Sequence, residues 1–372
     1  MEEKLKYFGS RVDALIKKKD ITRQEAHEMF RQLLLNEQPE LQQGAFLAAL
    51  TAKGATPEEL AGSWEAIYDI DTVKVKIDVP GPLVDNCGTG MDTIKTFNIS
   101  TAASIIAAAD GIYMAKHGAR AITSRCGTVD IVEALGVDVE CDANVVKRSI
   151  ERAGIGMFNG MSPKTHPQAL YRILSQIRFG TVLNIAASLA NPAMPTYGVR
   201  GVYSREMILP TVRTMKEIGY KRAFVVHGLD ANGLRGLDEL STIGATYGAE
   251  LHADGSITEM KIDYADLGIR RGDEKEILCH LDKDKEALLM LRLLTGEDRG
   301  PRRDIVCLNA APAFYITGRA KSLRDGYEMA EGILERGQGI TKLKEWVHWQ
   351  NAEPEPKIEL LEKMMERAAA LP

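Results

Sequence analysis

The chain has 372 residues, 45% hydrophobic and 27% charged, with 47 Lys+Arg against 52 Asp+Glu and a net charge of −5. This is a folded globular composition of about two domains' length, neither disordered nor fibrous. Without a clustered excess of Lys and Arg it excludes a default nucleic-acid binder; without an apolar run of about 18 residues or an apolar leader it excludes a membrane protein, and a cytoplasmic location is expected.

The five cysteines, Cys87, Cys126, Cys141, Cys279 and Cys307, form no C-x-x-C pair and sit beside no histidine cluster. Neither a zinc site nor a disulfide framework is indicated. The longest basic run, Lys17-Lys18-Lys19 before Asp20, reads as a solvated helix end.

In chain order, the first 75 or so residues are helical. Thr22-Arg23-Gln24-Glu25 and Thr56-Pro57-Glu58-Glu59 are capping boxes, the second with proline at the first helical position. Apolar residues at helical spacing follow each, and Glu40 to Ala52 is a further helix between them. This helical unit is either a core-packing domain or a dimerisation surface.

Beyond Val79-Pro80-Gly81-Pro82, short apolar runs end in glycine and precede helical pattern, the texture of an α/β layer. Such runs are Leu83–Asp85 before Gly88, Ile112–Ala115 before Gly118, Ile155–Phe158 before Gly160 and Ala223–Val226 before Gly228. Asp254-Gly255 predicts a hairpin with a tight primed turn. Glu353-Pro354-Glu355-Pro356 reads as a linker before a terminal helix from Ile358 to Ala369.

Three segments carry chemistry. Asp85 to Ala103 (DNCGTGMDTIKTFNISTAA) is a strand end, a glycine turn and a helix start. Glycine lets backbone approach a ligand closely, helix amides attract anions, and Thr89, Ser100 and Thr101 add hydroxyls for phosphate or metal. An ordinary tight turn has the same look; the segment is neither a P-loop nor a complete dinucleotide fingerprint. Lys116-His117-Gly118-Ala119-Arg120 follows a second strand and brings two cations to the same sheet end, where ligands of open α/β sheets sit. Gly236-Leu237-Asp238-Glu239 supplies paired acids, either solvated or suited to Mg²⁺.

In these segments the sequence resembles the anthranilate phosphoribosyltransferases, of the nucleoside phosphorylase/phosphoribosyltransferase fold group. The resemblance runs from Gln43-Gly44-Ala45-Phe46-Leu47 and Lys53-Gly54 through Phe97-Asn98-Ile99-Ser100-Thr101-Ala102, His166-Pro167, Asn191-Pro192, Gly201-Val202-Tyr203-Ser204 and Val226-His227-Gly228 to Arg303-Asp304-Ile305-Val306. It implies an N-terminal helical domain over 1–76 that mediates a homodimer and is joined by a helical stretch around 165–190. The rest, 80–372, is implied to be an α/β catalytic domain with a central mixed sheet flanked by helices.

The resemblance further implies that Gly88, Thr89, Gly90, Asp92, Asn98, Ser100, Thr101 and Lys116 hold phosphoribosyl pyrophosphate, while Ser100, Asp238 and Glu239 bind Mg²⁺. The implied reaction moves 5-phosphoribosyl to an aromatic nitrogen, by family default that of anthranilate in tryptophan biosynthesis, with no acid or base residue assigned. The alternatives are a nucleoside phosphorylase-like enzyme and an inactive relative that binds nucleic acid.

The departures from the family pattern gather on the acceptor side. Met91 stands where the family's glycine loop G-T-G-G-D has its third glycine, and Ala119 where the family has asparagine. Leu174 aligns with the arginine that grips the acceptor's carboxylate, and Ala187 lies in an altered Asn184–Pro192 segment. With His117 and Gly118 these residues outline an acceptor pocket, and Arg172 or Arg178 is a candidate replacement cation. An acceptor other than anthranilate is the expectation.

Overall fold

The computed structural model describes residues 2–120, 127–177, 179–280 and 282–371. Cys126 and Arg178 lie outside the described residues.

The chain opens with helices α1 (Glu2–Ile16), α2 (Arg23–Leu34), α3 (Glu40–Lys53) and α4 (Pro57–Asp71). Thr22 and Thr56 cap α2 and α4 reciprocally: each hydroxyl accepts the amide three residues on, and the Glu25 or Glu59 carboxylate accepts the threonine amide. Phe8, Phe30 and Phe46 meet edge-on at 5.2–5.6 Å in the centre of this unit.

The α/β part follows as β1 (Leu83–Gly88), α5 (Ile99–Ala109), β2 (Tyr113–Gly118), α6 (Thr128–Ala134), α7 (Ala143–Ala153) and β3 (Ile155–Asn159). Then come α8 (Leu170–Gln176), α9 (Leu183–Leu189), β4 (Tyr197–Gly201), α10 (Ile208–Glu217), β5 (Arg222–Leu229), β6 (Gly236–Leu237), β7 (Thr246–Leu251) and β8 (Ile257–Ile262). The chain closes with α11 (Glu274–Ile277), α12 (Lys283–Leu294), α13 (Pro301–Ile316), α14 (Leu323–Glu335), α15 (Gln338–Trp349) and α16 (Pro354–Ala369).

The strands form one mixed sheet in the order β3-β2-β1-β4-β5-β7-β8, with β6 beside β5. Pairing is parallel from β3 to β5 and antiparallel beyond. From β1 the chain winds outward through β2 and β3, then returns to β4 on the other side of β1. Strand order therefore reverses between β1 and β4, and a crevice opens outside their carboxyl ends. Helices α5 and α12 to α16 bury a cluster with one sheet face. On the other, α8, α9 and α10 share a cluster with α1 to α4 and with Val225 and Ala249 of the sheet.

Two local expectations change, and one strand is added. The hairpin at Asp254-Gly255 has a wider loop than a primed turn: the Gly255 amide bonds the His252 carbonyl, and Gly255 takes a φ of +81°. The loop is a turn closed by a left-handed glycine. Pro354 and Pro356 belong to α16 and not to a linker, since the first-turn amides of a helix have no partner to lose. Strand β4, with glycine at two of its five positions, carried no clear strand pattern.

Candidate active site

The crevice holds a cavity of about 210 Å³ lined at one end by Gly88, Thr89, Gly90, Asp92, Asn98, Ser100, Asp238 and Glu239, and at the other by His117, Gly118, Ala119, Leu174 and Ala187. The expected loops thus converge from β1, β2 and the segment after β6. Glycine permits this: a Cβ on Gly88 would collide with the Asp238 carboxylate, and one on Gly201 with the Asp238 carbonyl.

At the polar end, Asp238 Oδ2 accepts the Gly90 amide at 2.7 Å, and Glu239 Oε1 accepts the Ser100 amide at 3.2 Å. The Thr89 hydroxyl is buried without a partner at the wall. Burial, and then the mutual proximity of the acids, pushes Asp92 and Glu239 up from the ordinary carboxylate range; burial does the same to Asp238. Lys95, which sequence reasoning did not single out, pairs with Asp92 at 3.1 Å; its only signal was a lysine three residues after that aspartate.

Buried, charge-starved oxygens fit a hard cation. Among the described residues no group of three metal-ligating side chains converges. Asp238 and Glu239 with the Ser100 hydroxyl are donors for an ion such as Mg²⁺, which keeps several waters and completes its shell from phosphates.

Two expected phosphate ligands stand behind the wall. Lys116 precedes His117 on β2, and strand alternation turns it to the opposite face. Its Nζ is buried and donates to the Asn86 carbonyl at 2.7 Å and to Ser104 Oγ at 3.2 Å. Its positive charge is felt by Glu239 from below the cavity floor. Thr101 is fully buried in α5 with its hydroxyl unpartnered.

The other end is largely apolar. Leu170, Leu174, Leu183 and Ala187 line it together with Gly118, Ala119 and Gly160. Arg172 does not replace the missing cation: it turns away, donating to Gln43 Oε1 at 3.1 Å and to the Leu33 carbonyl at 2.9 Å. Arg120 lines the cavity but is paired with Asp130, Glu133 and Glu140. Met91 lies against Gly180, where any Cβ would collide with it, and Asn184 Nδ2 donates to the Thr89 carbonyl at 3.2 Å. The glycine loop and the segment leading into α9 are thereby interlocked. Asn184 and Ser188, within the altered Asn184–Pro192 segment, both line the cavity.

Residues 80–340 match the family model for the α/β domain of a glycosyl transferase family, and residues 12–69 match that family's helical bundle domain. The anthranilate phosphoribosyltransferase of Anaeromyxobacter sp. (strain Fw109-5) is 39% identical over 88% of this chain and 94% of its own length. That of Chloroflexus aggregans is 37% identical over 89% and 95%. The chain belongs to the anthranilate phosphoribosyltransferase family. Among solved structures, the Thermus thermophilus member superposes with a TM-score of 0.79 at 30% identity, covering 94% of this chain and 99% of its own. The Saccharomyces cerevisiae enzyme, solved in complex with phosphoribosyl pyrophosphate and Mg, shares the fold with a TM-score of 0.79 at 21% identity, over 96% and 98%. As a member of this family the chain is a glycosyltransferase-type enzyme. No helix among the described residues is long and apolar enough to cross a membrane.

Proposed function

We propose that the protein is a Mg²⁺-dependent phosphoribosyltransferase that moves 5-phosphoribosyl from phosphoribosyl pyrophosphate to the nitrogen of a small aromatic acceptor, and that the acceptor is not held by its carboxylate. The observation that carries this reading is the two-ended cavity: a hydroxyl-bearing glycine loop and buried acids at one end, leucine and alanine at the other.

At the polar end the Thr89 hydroxyl and the loop of Gly88 to Asp92 bind phosphate oxygens, beside the start of α5 at Asn98 and Ser100, whose helix dipole favours an anion. Mg²⁺ held by Asp238 and Glu239, with Ser100, would neutralise charge on the departing pyrophosphate. The chain's work is to align the two substrates and exclude water.

At the apolar end an aromatic ring packs well, and the two cations on the cavity wall among the described residues, Lys95 and Arg120, are both ion-paired. A carboxylate without a charge-assisted partner forgoes roughly 1.5–3 kcal/mol per hydrogen bond.

Pyrophosphate release with phosphoribosyl pyrophosphate, Mg²⁺ and a panel of aromatic amines, hydroxybenzoates and nucleobases tests both parts. We expect turnover that stops on chelation of Mg²⁺, and kcat/KM for anthranilate within about tenfold of its carboxyl-free analogue. Tight saturation by anthranilate would refute the altered acceptor; no release with any acceptor would refute the transferase.

A further inference from the structure

His117 and His166 are joined in a buried chain of hydrogen bonds. His166 Nδ1 lies 2.7 Å from the Asp71 carbonyl oxygen and 3.4 Å from Thr72 Oγ1, and the rings meet at 3.0 Å between their Nε2 atoms. His117 Nδ1 lies 3.3 Å from the Ser188 carbonyl oxygen. Each end of the chain is thus a carbonyl, which only accepts.

Three links join two rings, and two neutral imidazoles carry only two protons. The shortest link places one of them: Asp71 O needs a donor, and the Thr72 hydroxyl gives its hydrogen to the Ile67 carbonyl at 3.0 Å. His166 therefore carries its proton on Nδ1 and presents a bare Nε2. His117 must donate to it from Nε2, which leaves His117 Nδ1 bare beside a second carbonyl. His117 and Ser188 both line the acceptor end of the cavity.

We propose that His117 Nδ1 takes the proton that the acceptor nitrogen loses during transfer, with His166 as its positioning partner; this rests on the phosphoribosyltransferase reading above. The nitrogen lone pair forms a bond to the anomeric carbon, and the bond from that carbon to pyrophosphate oxygen breaks with its electron pair leaving on pyrophosphate. The N–H bond then gives its proton to Nδ1 and its electrons to nitrogen. The resulting imidazolium has a partner for every link, from Ser188 O through both rings to Asp71 O. A later exchange with solvent restores the neutral pair.

The surroundings keep the pair neutral at rest. Burial pushes His117 down to about 4 and lowers His166 as well. Arg200 of β4 repels added charge on His117, while Asp71 at the end of α4 attracts it on His166. Arg120, Glu140 and Arg172 stand around a second cavity that His166 borders. A base so weakened still suits a protonated aryl amine, itself a strong acid.

The test combines kinetics with ¹⁵N NMR of the histidines. In the unmodified protein, His117 Nδ1 is expected bare and His166 Nδ1 protonated; a proton on His117 Nδ1 at neutral pH overturns the inference whatever the variants do. His117→Asn is expected to lower kcat by about 10²-fold or more, to leave KM for phosphoribosyl pyrophosphate within about twofold, and to abolish the acid limb of kcat. Retention of kcat within about threefold, or of the acid limb, by a variant with unchanged melting overturns it alone. If the unmodified protein turns over no acceptor, the transferase reading falls first and the inference with it.

Discussion

Arg200 shows how much a single side chain can impose on this sheet. It is fully buried on β4, donates from Nη2 to Asp85 Oδ2 at 3.0 Å, and bonds Cys87 Sγ from Nη1. Arg200 Nε and Asp85 Oδ1 have no partner. A buried pair of this kind is weak evidence for stability, yet breaking it leaves an uncompensated charge in the core. Arg200→Met should therefore cost about 3–5 kcal/mol in urea unfolding, whereas Arg200→Met with Asp85→Leu should recover most of that loss. A double variant as unstable as the single one would show that packing, not charge, is what Arg200 supplies. Its neighbour Cys87 forms part of the cavity wall, and burial pushes that thiol up to about 12. The thiol is thereby kept protonated and inert.

At the scale of elements, α8 is held by α4. The Asp71 carboxylate is buried at the end of α4 and accepts the amides of Gln168, Ala169 and Leu170 at 2.5–3.1 Å. It caps the start of a helix whose Leu170 and Leu174 line the apolar end of the cavity. Removing such a cap costs about 1–2 kcal/mol. Asp71→Ala should raise KM for the acceptor about tenfold and leave KM for phosphoribosyl pyrophosphate nearly unchanged, because the Asp71 carbonyl that anchors His166 survives the change. Equal rises in both constants would argue for a general loosening instead.

For the whole molecule, the placement of exposed apolar side chains matters. Leu41 is 89% exposed and Ile16 64%, and Tyr7 and Leu35 are also exposed, all within the first four helices and their connections. These are four of the nine exposed large apolar side chains among the described residues, and we propose that a homodimer forms through the helical unit that carries them. Light scattering should give twice 40.9 kDa, about 82 kDa, and Leu41→Lys should shift the protein toward monomer. A monomeric mass at micromolar concentration would refute the dimer.

The sequence by itself determined what is encoded over short distances: the capping boxes of α2 and α4, the strands that run into Gly88 and Gly118, the glycine turn before α5 and the acids after β6. Each depends on neighbours within a few positions, through caps, alternation or turn geometry. Family motifs extended this to the architecture and raised the expectation of an altered acceptor side. Only the tertiary structure decided which face a residue takes and whom it meets. Lys116 met the Asn86 carbonyl and Ser104 beneath the sheet, and Arg172 turned to Gln43. His117 met His166 across 49 positions, Asp71 met Gln168 across 97, and Arg200 met Asp85 across 115. Such contacts leave no local periodicity, since they are chosen by burial and by the need to satisfy polar groups once the layers have packed.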